Sequence, residues 1–372
     1  MVLVKVFFLL EKFGMKNLFA SLLLVLGTIS AFADSREDLY NQLIWDGTDQ
    51  QWFEWWYTKV VLPDTRESFM VTMGVVNPAD TEQRDQASKT FVSFGDFDAK
   101  TLVMDEFKNS EFKASRDATD VNIAGNTFTG NHFRGSVKGA SFDFSIEKKW
   151  GYNGMGWGMF IKNLTNIGWY PAQADATCTG EYTSNGKTVH FENAPCYQDR
   201  NWGVSFPKWW AWIVSNHFKE DPTAALAIGG GMPKILGHEI YGGVTIGLNY
   251  QGKEYAFRPN DFAKVKTEIC FGTWKVSADT LNYRIEVEAY APPEKFMDLP
   301  FATPQGQIFH DLEALTGDVV VKLFKRESLF EPFKLVTLLT SDLAGIEYGA
   351  PGAENNFLSG SQSIFSTCKE LR

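Results

Sequence analysis

The 372-residue chain is poor in the residues that carry the commonest chemistries, with five histidines and four cysteines. No Cys-x-x-Cys occurs and no Cys/His pair has zinc spacing, which excludes a structural zinc module. His190-Phe191-Glu192 and His238-Glu239 come nearest to a ligand pair. Isolated histidines of this sort are ordinarily surface or core groups, so no metal is expected. A Gly-x-Ser-x-Gly elbow is missing, which removes the usual serine hydrolase route. Gly229-Gly230-Gly231 runs into Met232-Pro233 rather than Lys-Ser, so it reads as a turn and not a phosphate cradle. Positive charge is also scarce. With 35 Lys and Arg against 45 Asp and Glu, the net charge is −10. That balance argues against nucleic acid or an anionic membrane surface as the main partner. Beyond the N-terminal segment, no apolar run approaches the roughly 20 residues of a transmembrane helix.

What the chain has in quantity is aromatic residues, at 15%, and glycine, at 32 positions. Both suit an all-β protein with tight turns and a wide apolar interior. Short alternating runs bounded by Gly, Asn and Asp recur, among them Tyr57 to Leu62, Phe69 to Val76, Lys89 to Asp96, Phe107 to Phe112 and Ser136 to Glu147. Their spacing predicts meandering antiparallel strands. Ser184-Asn185-Gly186 predicts a tight hairpin. The second half repeats the style from Ala211 onward, and Leu329 to Leu339 reads as a short helix. Each half has the strand count of a closed antiparallel β-barrel able to enclose a small ligand. The division expected is 1–33 as an N-terminal extension and signal peptide, 34–180 as one barrel and 181–372 as a second. A single large β-sandwich is the alternative.

From Met15 the sequence has a basic start, an apolar run from Leu18 to Leu26 and a small-x-small site, Ala31-Phe32-Ala33. This predicts export to the periplasm or beyond, with the mature chain beginning at Asp34. An uncleaved anchor is the alternative. In an exported chain the four cysteines predict two disulfides. Cys178 with Cys196 is favoured, across the predicted hairpin, leaving Cys270 with Cys368. Asn163-Leu164-Thr165 is a glycosylation sequon if the host is eukaryotic.

The most informative stretch is CYQDRNWGVSFPKWWAWIVSNHF, from Cys196 to Phe218. Alternation in an extended strand puts Tyr197, Asp199 and Asn201 on one face and Arg200 and Trp202 on the other. An acid sharing its face with neutral groups, its guanidinium neighbour turned away, stays protonated when buried. Asp199 is therefore a candidate proton donor; the alternative is a structural pairing with Arg200. Trp210, Trp212 and Asn216 share the next face, an indole wall ending in an amide. In Trp52 to Tyr57, alternation groups Trp52, Glu54 and Trp56. Glu54 faces either a pocket or a structural cation.

Asp199-Arg200-Asn201-Trp202-Gly203, then Phe206-Pro207, Trp209-Trp210-Ala211-Trp212 and Asn216, resembles the signature of the tocopherol cyclase family. Trp45-Asp46-Gly47 and Phe53-Glu54-Trp55-Trp56-Tyr57-Thr58-Lys59 are similar to that family's first block, and Gly345-Ile346-Glu347-Tyr348-Gly349 to its closing strand. Trp55 stands where the family has Gly, and Asp199 where it has Glu. The Glu-Trp-Trp-Tyr form also resembles the related carotenoid hydratase and AttH-like group. The resemblance implies two lipocalin-like barrels side by side and an enzyme acting on a prenylated hydrophobic substrate. It implies protonation of an alkene, with cation capture by a phenol oxygen or by water.

In that chemistry Asp199 would be the acid and Tyr197 and Asn201 its orienting groups. Trp202, Trp210, Trp212, Asn216, Glu54 and Trp56 would bind substrate, and no cofactor is called for. Two other readings compete. One is an exported, non-catalytic carrier of hydrophobic ligands, with possible peripheral membrane contact; the other is a carbohydrate-active protein pairing Glu54 with Asp199 across one cleft.

Overall fold

The computed structural model describes residues 41–353 apart from 159, 160, 163, 241, 242 and 271. The expected signal peptide, its cleavage site, Asn163 of the sequon and Cys368 lie outside the described residues. Two large antiparallel sheets account for most of the chain. The first has eleven strands, from Phe53–Val61 to Lys187–Gly203; the second has ten, from Trp210–Ser215 to Lys334–Ala350. Neighbours in sequence are mostly neighbours in the sheet, as the meander pattern requires. Each sheet also pairs its first strand with its last, Phe53–Val61 with Lys187–Gly203 and Trp210–Ser215 with Lys334–Ala350. Each sheet therefore curls. Lys89–Asp96 approaches Asp120–Ile123 across the first, and Gly243–Tyr250 approaches Lys264–Cys270 across the second. The result is the expected pair of lipocalin-like antiparallel barrels.

Each barrel has its own apolar filling. Phe69, Phe94, Phe128, Phe133 and Phe144 crowd the first, and Trp274, Val276, Ile285, Leu312 and Ile346 belong to the second. A third apolar cluster lies between them, drawing on both sheets. Strand Phe53–Val61 shows why. All nine of its residues are buried. Trp56 and Val60 enter the first barrel's core, while Phe53, Trp55, Tyr57 and Val61 enter the shared cluster. A period-2 element buried on both faces has to lie between two packed layers.

Several expectations change in detail. Gly180 falls inside the long strand Ile167–Ser184, and the chain moves from first sheet to second between Gly203 and Trp210. The polar hairpin tip after Gly180 is an exposed loop end of the first sheet. The Asp199 strand is accordingly the last of the first sheet. The helix expected over Leu329 to Leu339 is absent; strand Lys334–Ala350 begins there, its sequence satisfying a long ladder with Ile308–Lys325. The run Phe107 to Phe112 is not one strand but is broken by a 3-10 turn at Asn109–Glu111, where buried Asn109 donates to the carbonyls of Val76 and Asn77.

The Asn-Gly hairpin is present, with Asn185 at φ 51° and Gly186 at φ 76° joining strands Ile167–Ser184 and Lys187–Gly203. Those positive φ values suit a two-residue turn matched to strand twist. Cys178 and Cys196 form the disulfide that staples these strands. The other expected pairing cannot be placed, since Cys368 lies outside the described residues and the Cys270 side chain is not described. Among the described residues, no helix is long and apolar enough to cross a membrane.

Candidate active site

Asp199 comes to the surface of a cavity of about 410 Å³ between the barrels. Strand register places it opposite Tyr57, with Asn201 opposite Trp55. All four line the cavity, so the face predicted by alternation is the face that meets it. Much of the rest of the wall is apolar, including Trp169, Trp210, Trp212, Phe301 and the glycine run Gly229 to Gly231. Trp55 stacks on Phe301 at 5.2 Å between ring centroids, and Trp210 on Phe309 at 4.2 Å. Glycines in the second barrel make room for these indoles. A Cβ at Gly229 would come within 2.7 Å of the Trp169 ring, and one at Gly349 within 2.2 Å of Trp210.

The Asp199 carboxyl is asymmetric. Its Oδ2 accepts from the Tyr197 hydroxyl and from Trp169 Nε1, both at 2.7 Å. Its Oδ1 is buried without a protein partner. Trp212 Nε1 in turn donates to the Tyr197 oxygen at 3.1 Å, fixing that hydroxyl's direction. Burial raises the Asp199 pKa to about 7, with the Tyr197 and Trp169 bonds pulling the other way. An acid with that value is half protonated at neutral pH.

A second carboxyl group set belongs to the other barrel. Asp311 and Glu347 line the same cavity. With Glu313 they bring carboxyl oxygens within 4.8 Å of one another. Burial, then repulsion by Glu313, pushes Asp311 well above the usual carboxylate range; burial, then repulsion by Asp311 and Glu313, does the same to Glu347, and burial pushes Glu313 to about 8. Glu313 accepts from the Tyr57 hydroxyl and is attracted by buried Lys59, whose own pKa burial pushes down to about 8. Spacing alone would let three carboxyls hold a cation. Hard cations, however, take about six or more oxygens, and the Lys59 ammonium already answers the charge of this cluster from within the core.

The remaining predicted site residues lie elsewhere. Glu54 is wholly buried on the opposite face of its strand in an ion pair with Arg200, and it also accepts from Ile44 N, Trp45 N and Trp52 Nε1. Burial raises Glu54 and lowers Arg200 to about 10, each restraining the other's shift. Trp56 and Trp202 sandwich that guanidinium at 5.3 and 5.0 Å, so neither reaches the cavity. Asn216 donates to Asp175 Oδ1 and to the carbonyls of Ala176 and Cys196, which ties the second barrel to the stapled strands of the first. Since Glu54 and Asp199 occupy opposite faces of the sheet, they cannot flank one glycosidic bond. Sequence reasoning missed Trp169, Asp311, Glu313 and Glu347. The signal available was the alternation Asp311-x-Glu313, opposite Glu347 in the partner strand.

Fold and cavity together define a two-barrel, lipocalin-like protein with buried acids facing a hydrophobic pocket at the barrel junction. Residues 136–350 match the tocopherol cyclase-like family, and the chain belongs to that family of cyclase-type enzymes. It is 27% identical over 366 residues to a probable chloroplastic tocopherol cyclase of Oryza sativa subsp. japonica, covering 82% of this chain and 77% of that one. To the chloroplastic tocopherol cyclase of Zea mays it is 26% identical over 363 residues, covering 82% and 76%. Among solved structures, CghA with Sch210972 superposes with a TM-score of 0.52 at 9% identity, over 81% of this chain and 89% of that one, a likeness of fold.

Proposed function

We propose that the chain protonates an alkene of a prenylated hydrophobic substrate, and that a phenol oxygen or water captures the resulting tertiary cation. Capture by phenol closes a chromanol ring; capture by water hydrates the chain. The carrying observation is the carboxyl of Asp199. With Oδ2 occupied by two donors, the proton is left to Oδ1, which has no protein partner. Once the proton has gone, the same two donors stabilise the carboxylate. A pKa of about 7 is near the optimum for a general acid at neutral pH, strong enough to give and still half loaded. Tyr197 orients the acid, and Asn201 supplies a polar group on the same wall. The faces of Trp55, Trp169, Trp210 and Trp212 suit a developing cation, each contributing about 0.5–2 kcal/mol when desolvated.

The family supports a hydrophobic prenylated partner, and a cavity of this volume and lining suits one. Export of the chain to the periplasm or beyond remains part of this reading, carried by the Ala31-Phe32-Ala33 site. The test is incubation with a prenylated hydroquinone in D₂O. One deuterium on carbon in a cyclised or hydrated product supports the reading. Tight binding without conversion or exchange overturns it in favour of a carrier.

A further inference from the structure

Addition across the alkene uses one proton and releases another. Asp199, in the first barrel, supplies the first. The oxygen that attacks the cation must lose its own hydrogen, and an oxygen arriving on the alkene face away from Asp199 presents that hydrogen to the second barrel. We propose that Asp311 and Glu347, on the second-barrel wall of the same cavity, receive this proton, with Asp311 Oδ1 as the accepting atom.

Three observations support this. Asp311 and Glu347 both line the cavity that holds Asp199, on strands Ile308–Lys325 and Lys334–Ala350. Asp311 is only 4% exposed, and its Oδ1 makes no hydrogen bond, with the Trp210 indole N–H, itself unpaired, the nearby donor acting on this carboxyl. The two carboxyls also bring oxygens within 4.8 Å of each other, close enough for one proton to serve both. In the singly protonated state the pair carries one negative charge, and a carboxylate lone pair on Asp311 is free to accept a proton. Two acids this close cannot both ionise, so the shared proton stays while the second site works as a base. Glu313 is a positioning residue: held by Tyr57 and facing Lys59, it helps keep that shared proton in place.

The steps balance. The Asp199 Oδ1–H bond breaks as a C–H bond forms on one alkene carbon. The other carbon gains a C–O bond, and the O–H bond of the phenol or water breaks as Asp311 Oδ1 gains hydrogen. Asp199 ends ionised and the pair doubly protonated, so returning one proton from the pair to Asp199 closes the cycle. No oxidant or reductant takes part.

This inference rests on Asp199 being the acid, and the experiment separates the two claims. Wild type, Asp311→Asn, Glu347→Gln and Asp199→Asn are incubated with a prenylated hydroquinone in D₂O. Cyclised product and deuterium in recovered substrate are both measured. With Asp311→Asn the cation still forms and collapses back, so exchange into recovered substrate continues at a rate comparable with wild type. Product formation falls by about 10²–10⁴-fold, the usual worth of a general base. Asp199→Asn loses both. If Asp311→Asn is folded by its melting curve and product and exchange stay unchanged, or fall together, the pair is not the base. Should Asp311→Asn not fold, Glu347→Gln decides by the same ratio. If wild type neither cyclises nor exchanges, Asp199's role fails and this one with it.

Discussion

Arg200 and Glu54 form an ion pair with neither side chain exposed to solvent, one strand face away from the reactive cavity. The Glu54 carboxylate accepts from Ile44 N, Trp45 N and Trp52 Nε1, and Arg200 donates to the Gln42 carbonyl, all in the segment before the first strand. Removing one member leaves the other charged and buried. Arg200→Gln should therefore cost about 3–5 kcal/mol, read as a lower urea midpoint with unchanged slope. Glu54→Gln combined with Arg200→Gln should recover much of that loss. A single variant as stable as wild type would show that the pair is not buried.

Asp199 makes a pH prediction with a defined sign. Its carboxyl has an ordinary value near 3.8 when unfolded and about 7 when folded. As pH rises between these values the unfolded chain gives up the proton first, so wild-type stability falls across that window and levels off above it. Asp199→Asn has no proton to lose. Its stability advantage should grow from nothing near pH 4 to at most on the order of 4 kcal/mol above pH 7. Wild-type turnover should decline as pH rises through about 7, as the acid empties. Denaturation curves and rates at several pH values check both, and a stability difference independent of pH would rule out the raised pKa.

Trp169 should tune that acid. Its indole N–H holds the Asp199 pKa down and supports the carboxylate left after transfer. Trp169→Phe keeps an aromatic ring but removes the donor. The alkaline limb of the rate profile should move to higher pH. The rate should also fall by about 10–100-fold, matching a hydrogen bond to a charged group of about 1.5–3 kcal/mol. A lower rate with an unmoved limb would show that Trp169 only fills space.

Cys178 and Cys196 close a loop with a separation of 18 residues. Chain-entropy reasoning values such a closure at about 3 kcal/mol. Reduction, or Cys178→Ala with Cys196→Ala, should lower the melting temperature while the cavity chemistry continues, because the bridge lies in the first barrel's core. Loss of activity with an unchanged melting temperature would contradict this.

How much of this was legible in the sequence follows from what a period of two can say. Alternation correctly grouped Tyr197, Asp199 and Asn201 on one face, and Trp55 with Tyr57, because side-chain direction in a strand is a local property. It could not say which face meets the cavity, since strand Phe53–Val61 is buried on both. That is why Glu54 and Trp56 read as site residues and lie instead around Arg200. The cavity's second wall comes from strands more than a hundred positions later, and only the barrel junction brings Asp311 and Glu347 to it. Trp169 was hidden for a different reason. Its donor role depends on register with the Asp199 strand, shifted by irregularities after Tyr170.

The glycine run of the second barrel supplies a last test, because it acts on Asp199 only through Trp169. Gly229 sits on strand Ala225–Gly231 beneath that indole, and an added Cβ would lie 2.7 to 2.8 Å from three ring carbons. No Cβ tolerates such contacts, so the ring or the strand must shift. The ring's N–H is anchored on Asp199 Oδ2 at 2.7 Å, and displacing it loosens that bond. Overpacking of this kind costs about 1–3 kcal/mol. Gly229→Ala should thus lower stability modestly and reproduce the alkaline shift of Trp169→Phe. Gly229→Ala combined with Trp169→Phe should be no slower than Trp169→Phe alone, since the smaller ring relieves the clash and the donor is already gone. Rates and melting curves for the two singles and the double close the cycle, and additive losses in rate would place the effect of Gly229 elsewhere than on Trp169.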